Sequence, residues 1–169
     1  MRPGGTPSMP QTALKTPNFL AAANTESSID QKRLVARLGA RWFLQGLTLV
    51  KTFGGGDILD GLILLAVTDA NTRHLNGPDG RYQSSSDIPP NDARRPVSVY
   101  VVARELGVSY ETARRHVQRL IKAGKIERVE DGVVVPDAVF AEYEIQGLTA
   151  KNYSNTRRFL DQLRDVGVI

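Results

Sequence analysis

The sequence predicts a mainly α-helical protein with one small β-hairpin, in which a central helix-turn-helix-hairpin unit is flanked by packing helices. Three observations lead there. Residues 94–135 read as helix, tight turn, second helix and two short β-prone runs around Asp131-Gly132. Residues 30–50 and 58–72 carry apolar side chains at helical spacing, and residues 153–166 do so again near the end. The chain then divides into a disordered tail (1–28), a helical core or dimerisation segment (29–75), a polar loop (76–93), the central unit (94–136) and C-terminal helices packing on the core (137–169).

Residues 1–28 are rich in Pro, Gly, Ser and Thr and hold few large apolar groups. Such a segment buries too little to offset its ordering entropy. Its Arg2 and Lys15 are too few to make a convincing basic arm. The helix from about residue 30 to 50 offers Leu34, Leu38, Trp42 and Leu49 to a core. Arg33, Arg37 and Arg41 recur every fourth residue, read as a solvated face, with phosphate contact as the alternative. Gly54-Gly55-Gly56 lacks the Gly-Lys-Ser/Thr of a phosphate loop and reads as a connector ending at Asp57, which caps the next helix. That helix is apolar on most sides, so it must be buried in a core or against another subunit. His74 near its end is expected on the last carbonyls or in solvent. Residues 76–90 are dense in turn chemistry. Arg94-Arg95 is expected to be a solvated pair, with a phosphate clamp as the alternative.

In the central unit Ser98 is an N-cap, and Val99, Val102, Ala103 and Leu106 share a helical face. Gly107 supplies the left-handed residue that stops this helix. Ser109 caps a second helix over 110–123, whose Ala113, Val117, Leu120 and Ile121 form one apolar stripe. At about 100° per residue, Glu111, Arg115, Gln118 and Arg119 lie opposite, with Arg114 at the border. His116, at the edge of the stripe, reads as a packing or hydrogen-bonded residue. Asp131-Gly132 between β-prone runs is a hairpin signal. After it, Pro136-Asp137 opens a helix with Val139, Phe140 and Tyr143, which Gly147 is expected to interrupt. The last helix, with Phe159, Leu163 and Val166 on one face, is expected to pack onto the helix after Asp57 or across a dimer.

Two helices and a hairpin in this order make a winged helix-turn-helix. The run VARELGVSYETARRHVQRLIKAGKIERV resembles bacterial transcriptional regulators of the MarR, ArsR and GntR type, through Ala103, Gly107-Val108, Ser109, Thr112-Ala113, Leu120, Gly124 and Ile126. The resemblance covers about a quarter of the chain. It implies double-stranded DNA as partner and a homodimer joined through helices outside the reading head. It also leaves room for a small effector near Trp42, Phe43 and the helix over 58–67, although no specific ligand is implied.

A helix of this size fits the major groove, where each base pair shows its own donor and acceptor pattern. Arg114 and Arg115 can donate to guanine or grip phosphates, Gln118 suits adenine, and Glu111 can accept from cytosine. Arg119 adds charge, and Ser109, Tyr110 and Thr112 stand at the helix start, where phosphates are bound. Four basic side chains and one acidic one fall on this helix, most of a net charge of +4 in a 169-residue chain. The wing departs from the basic tip often found in such regulators. Its tip is Glu130-Asp131-Gly132, with Arg128 as the nearest arginine. That acidity sustains an alternative, a winged-helix module that binds protein within an assembly.

The rest of the composition narrows the field. There is no cysteine and there are only two histidines, so disulfides and thiolate metal sites are excluded and no cofactor is expected. The longest apolar run, residues 62–67, is too short to cross a bilayer, and the N-terminus lacks a secretory apolar region. A cytoplasmic protein without membrane partners is the expectation. No nucleophile–base pair or metal spacing points to an enzyme.

Overall fold

Lys32–Phe53 forms helix α1 and Ile58–Thr72 helix α2, joined by the glycine turn. The computed structural model describes residues 31–77, 81–84 and 86–169. The tail expected over 1–28 and the Pro78-Asp79-Gly80 part of the polar loop lie outside the described residues. α1 runs three residues further than its apolar spacing suggests, and the Thr48 and Thr52 hydroxyls donate to carbonyls four residues back. Asp57 caps α2 as expected, accepting from the Leu59 and Asp60 N–H groups at 2.9 and 3.1 Å. Gly61 lies where α2 meets α1, and a Cβ there would collide with the Val50 carbonyl.

Two short 3₁₀ turns, Arg73–Leu75 and Asn91–Ala93, bracket the polar loop. His74 Nε2 lies 3.0 Å from the Ala93 carbonyl, so it ties the two turns together rather than closing the end of α2. The central unit follows as α3 (Val99–Leu106), α4 (Tyr110–Lys122), β1 (Glu127–Val129) and β2 (Gly132–Val134). Gly107 has φ +66°, the left-handed turn between α3 and α4. β1 and β2 pair antiparallel with Arg128 opposite Val133, and Val97 bridges to the other edge of β2.

The C-terminal part departs from the sequence reading. α5 is short, Asp137–Ala141, and α6 runs unbroken over Tyr143–Asp165, straight through Gly147. The break falls at Glu142, whose backbone is extended. A helical glycine costs only about 1 kcal/mol, and the packing of α6 along α1 outweighs it. That partner is a second correction, since α6 packs on α1 rather than on α2. Trp42 stacks on Phe159 at 5.3 Å between ring centres, and Asn155 donates to the Trp42 carbonyl.

The core joins α2 to the central unit. Ile63, Leu64 and Val67 of α2 meet Val102, Ala113, Val117, Ile126, Val133 and Val135, all nearly or fully buried. Asn71 is fully buried among them and spans α2 and the hairpin by hydrogen bonds. α2 is not covered all round. Ile58 and Leu65 are exposed, as are Trp42, Phe43 and Leu44 of α1. No helix among the described residues is long and apolar enough to cross a membrane.

Candidate nucleic-acid interface

The positions of the α4 side chains follow from its two-sided sequence. Ala113, Val117 and Leu120 are buried, which fixes the rotation of the helix and turns Tyr110, Glu111, Arg115, Gln118, Arg119 and Lys122 outward. Ser109 starts the helix by accepting from the Thr112 N–H at 3.1 Å, and its hydroxyl lies 2.8 Å from the Thr112 hydroxyl. Both small residues are therefore engaged in the cap, beside a helix N-terminus whose remaining N–H groups favour an anion.

The charged residues divide into two groups. Arg114 holds Glu111 through two bonds of 2.8 and 2.7 Å. The bond from Arg114 is the main reason the Glu111 carboxyl lies below its ordinary range. Arg119 is drawn to α2. Its Nε donates to Asp60 at 2.8 Å and its Nη2 to Asp57 at 2.6 Å. Arg115, Gln118 and Lys122 are exposed and form no hydrogen bond or ion pair with the described residues. Arg128 is likewise exposed on β1, beside the acidic tip. Of the nine residues singled out from the sequence, the structure thus offers Arg115 and Gln118 freely on one face and Arg128 on the wing. It places Tyr110 exposed at the helix start and engages Ser109, Thr112, Glu111, Arg114 and Arg119 in intramolecular bonds.

Sequence reasoning missed the network behind Arg119. Asp60 is buried and accepts from His116 Nδ1 at 2.7 Å as well as from Arg119. The signal was present in two halves. Asp57 and Asp60 are three residues apart on the first turn of α2, and His116 and Arg119 three apart on α4, so each pair shares a helix face. Nothing local says that the two faces meet. Asp57, Asp60 and His116 bring three ligand-type atoms within 4.8 Å of one another. A cation there would have to displace the Arg119 guanidinium, which already bonds to both carboxylates.

The network makes a pH prediction. The Asp57 carboxyl is held below its ordinary value of 3.8, first by the Asp60 N–H, against desolvation, with help from Arg119 and the Leu59 N–H. A depressed carboxylate contributes stability that is fully present above the unfolded value and lost as pH falls through the folded one. Urea titrations of wild type and Asp57→Asn should therefore differ at neutral pH, begin to converge as pH falls past about 3.8, and meet only below the depressed folded value. A difference that persists unchanged into acid would dissociate the charge of Asp57 from its contribution.

Comparison with known proteins agrees with this geometry. A family model described as a DeoR-like helix-turn-helix domain matches residues 92–139. Searches of curated proteins and of solved structures found no match. The matched segment holds α3, α4 and the hairpin, so the chain carries a helix-turn-helix DNA-binding domain of the kind found in transcription regulators. The match supports that general reading and nothing specific to the MarR, ArsR or GntR type.

Proposed function

We propose that the protein is a transcription regulator that binds a specific double-stranded DNA sequence as a homodimer, with α4 in the major groove. The observation that carries this reading is the face of α4. Arg115, Gln118 and Lys122 stand unpaired on a helix whose opposite side is locked into the core. Arg115 donates to guanine, Gln118 pairs with adenine, and Lys122 contacts backbone phosphate. Tyr110 and the N-terminus of α4 hold a second phosphate. Arg128 adds a light wing contact. Arg119 is a positioning residue, clamping α4 to the start of α2, and Arg114 with Glu111 forms a surface pair that DNA could reopen.

The homodimer rests on the exposed apolar surface of α1 and α2. Trp42, Phe43 and Leu65 border an apolar groove of about 400 Å³ that continues to Phe53 and Leu148. An apolar stretch of this kind favours a subunit contact over solvent. Leu65→Glu should halve the mass seen by light scattering, with the circular dichroism unchanged. A wild-type chain that is already monomeric at micromolar concentration would remove the homodimer.

A protein-binding module is the second reading, favoured by the exposed acidic wing tip at Glu130 and Asp131. Selection from random duplexes, followed by a salt titration of the recovered sequence, decides between the two. Enrichment of a two-fold symmetric sequence is the expected result. Recovery of no sequence, with binding that vanishes at moderate salt, would leave only phosphate attraction and favour the second reading.

A further inference from the structure

Arg94 is the only arginine or lysine that is buried among the described residues, with 6% of its surface exposed. Its sequence context suggested a solvated residue. Its Nη2 donates to the Pro89 carbonyl at 2.8 Å, and its guanidinium lies 4.9 Å from the centre of the Phe140 ring. Nε and Nη1 have no acceptor. Among the described residues no carboxylate makes an ion pair with it, and Asp137 acts only from a distance. Burying a cation without a counter-charge is among the most costly arrangements in a fold, and an apolar residue of similar length would serve packing at least as well. Structure alone does not account for an arginine here.

Arg94, Pro89 and Phe140 together stand in the wall of a cavity of about 530 Å³ between α2, residues 81–84 and 87–89, and the start of α6. That volume lies in the range of small-molecule sites. The other polar groups of its wall include Arg81, Thr68, Gln146 and Thr149, against the carboxylate of Asp87 as its one acidic group among the described residues. Thr68 Oγ1 is a second buried polar atom without a partner. Two orphaned polar groups in one wall, with a second guanidinium beside them, form a donor-rich concave site whose described lining is net positive.

We infer that this cavity binds a small oxyanion compound, a carboxylate or phosphate, with Arg94, Arg81 and Thr68 as its donors. Charge-assisted bonds from guanidinium to such a group are the strongest that side chains offer. The position of the site gives it a regulatory meaning, and that part rests on the DNA-binding reading. Arg95 exchanges hydrogen bonds with Asn71, Val97 pairs with β2, and Ser98 caps α3. A ligand on Arg94 therefore sits four residues before Ser98, the cap of the first helix of the reading head.

The full chain is titrated by calorimetry with sodium phosphate and, separately, sodium acetate, against sodium chloride at equal ionic strength. Saturable binding of at least one oxyanion is expected, weakened about tenfold or more by Arg94→Met. If Arg94→Met does not fold, Arg81→Ala, an exposed position, carries the test and should weaken binding by at least a few-fold. Absence of saturable binding by either anion overturns the inference. So does undiminished binding in Arg94→Met or, where that variant does not fold, in Arg81→Ala. The readout needs no DNA, so its failure leaves the regulator reading standing, and failure of the duplex selection leaves this site to be judged on the anion titration.

Discussion

Asn71→Ala is expected to lower the stability of the folded chain by about 3 kcal/mol. Asn71 is fully buried in the last turn of α2. Its Nδ2 donates to the Arg95 carbonyl at 2.7 Å and to the Val133 carbonyl at 3.3 Å, and its Oδ1 accepts from the Val135 N–H at 3.0 Å. Alanine leaves the buried Val135 N–H without its acceptor, takes the donor from the part-buried Arg95 carbonyl, and leaves the Val133 carbonyl with the Val97 N–H alone. Each such group costs about 1–3 kcal/mol when water cannot replace the partner, and partial relaxation keeps the sum toward the low end. Tm should fall by roughly 10 °C, and the urea midpoint should drop with an unchanged slope. Asn71→Asp tests the same point differently. It keeps the Oδ1 acceptor but sets a carboxylate against two carbonyls, so it should be no more stable than the alanine variant. A Tm within about 2 °C of wild type would show that α2 and the hairpin are held by apolar packing alone.

The contrast between Asn71 and the helix caps explains what the sequence could disclose. Ser98, Ser109, Asp57 and Gly107 act on backbone groups within three or four residues, so their roles are written in local order, and the structure finds each of them there. The apolar stripe of α4 was legible for the same reason. Asn71 acts on residues 24 to 64 positions away, and Asp60 meets His116 across 56. No periodicity encodes such a meeting. A lone Asn in an apolar helix is a sign that a distant partner exists, but not of which one. Gly147 failed in the opposite direction. Its local preference is to break a helix, and that small preference yields to the length of α1 against which α6 lies.

The candidate site was legible as a face and not as a set of free groups. Helical geometry placed Glu111, Arg115, Gln118 and Arg119 on one side of α4, with Arg114 at the border. The i, i+3 spacing of Glu111 and Arg114 held a local signal for their pairing that the reading did not use, whereas nothing local showed that Arg119 would be taken by two carboxylates of α2. Arg94 shows the same limit in reverse. Arg95 and Pro96 after it are exposed, and the approach of Phe140 and Pro89 buries it.

Arg115→Ala and Arg119→Ala should separate reading DNA from holding the helix that reads it. Arg115 is exposed and makes no intramolecular bond with the described residues. Its removal should leave Tm unchanged and cost about 1–3 kcal/mol in affinity for the selected duplex, which is roughly 5- to 150-fold. If the contact is to a base, discrimination at one base pair should relax while the dependence of log K on log salt keeps its slope. If it is to phosphate, affinity should fall equally on all sequences and the slope should lose about one unit. Arg119 is expected to behave otherwise. Its alanine variant strips the buried Asp60 of one of its two partners, so it should lower stability first and affinity only through the looser seating of α4. That loss of affinity should spread over the whole site without relaxing any single base pair. Double substitution with Asp60→Asn provides the control, because the two changes touch one network and should be far from additive in stability. Fluorescence anisotropy on the selected duplex and thermal melts of wild type, Arg115→Ala, Arg119→Ala, Asp60→Asn and the double variant supply the data. An Arg119→Ala protein that melts like wild type, with discrimination relaxed at one base pair, would move Arg119 from the fold to the reading surface.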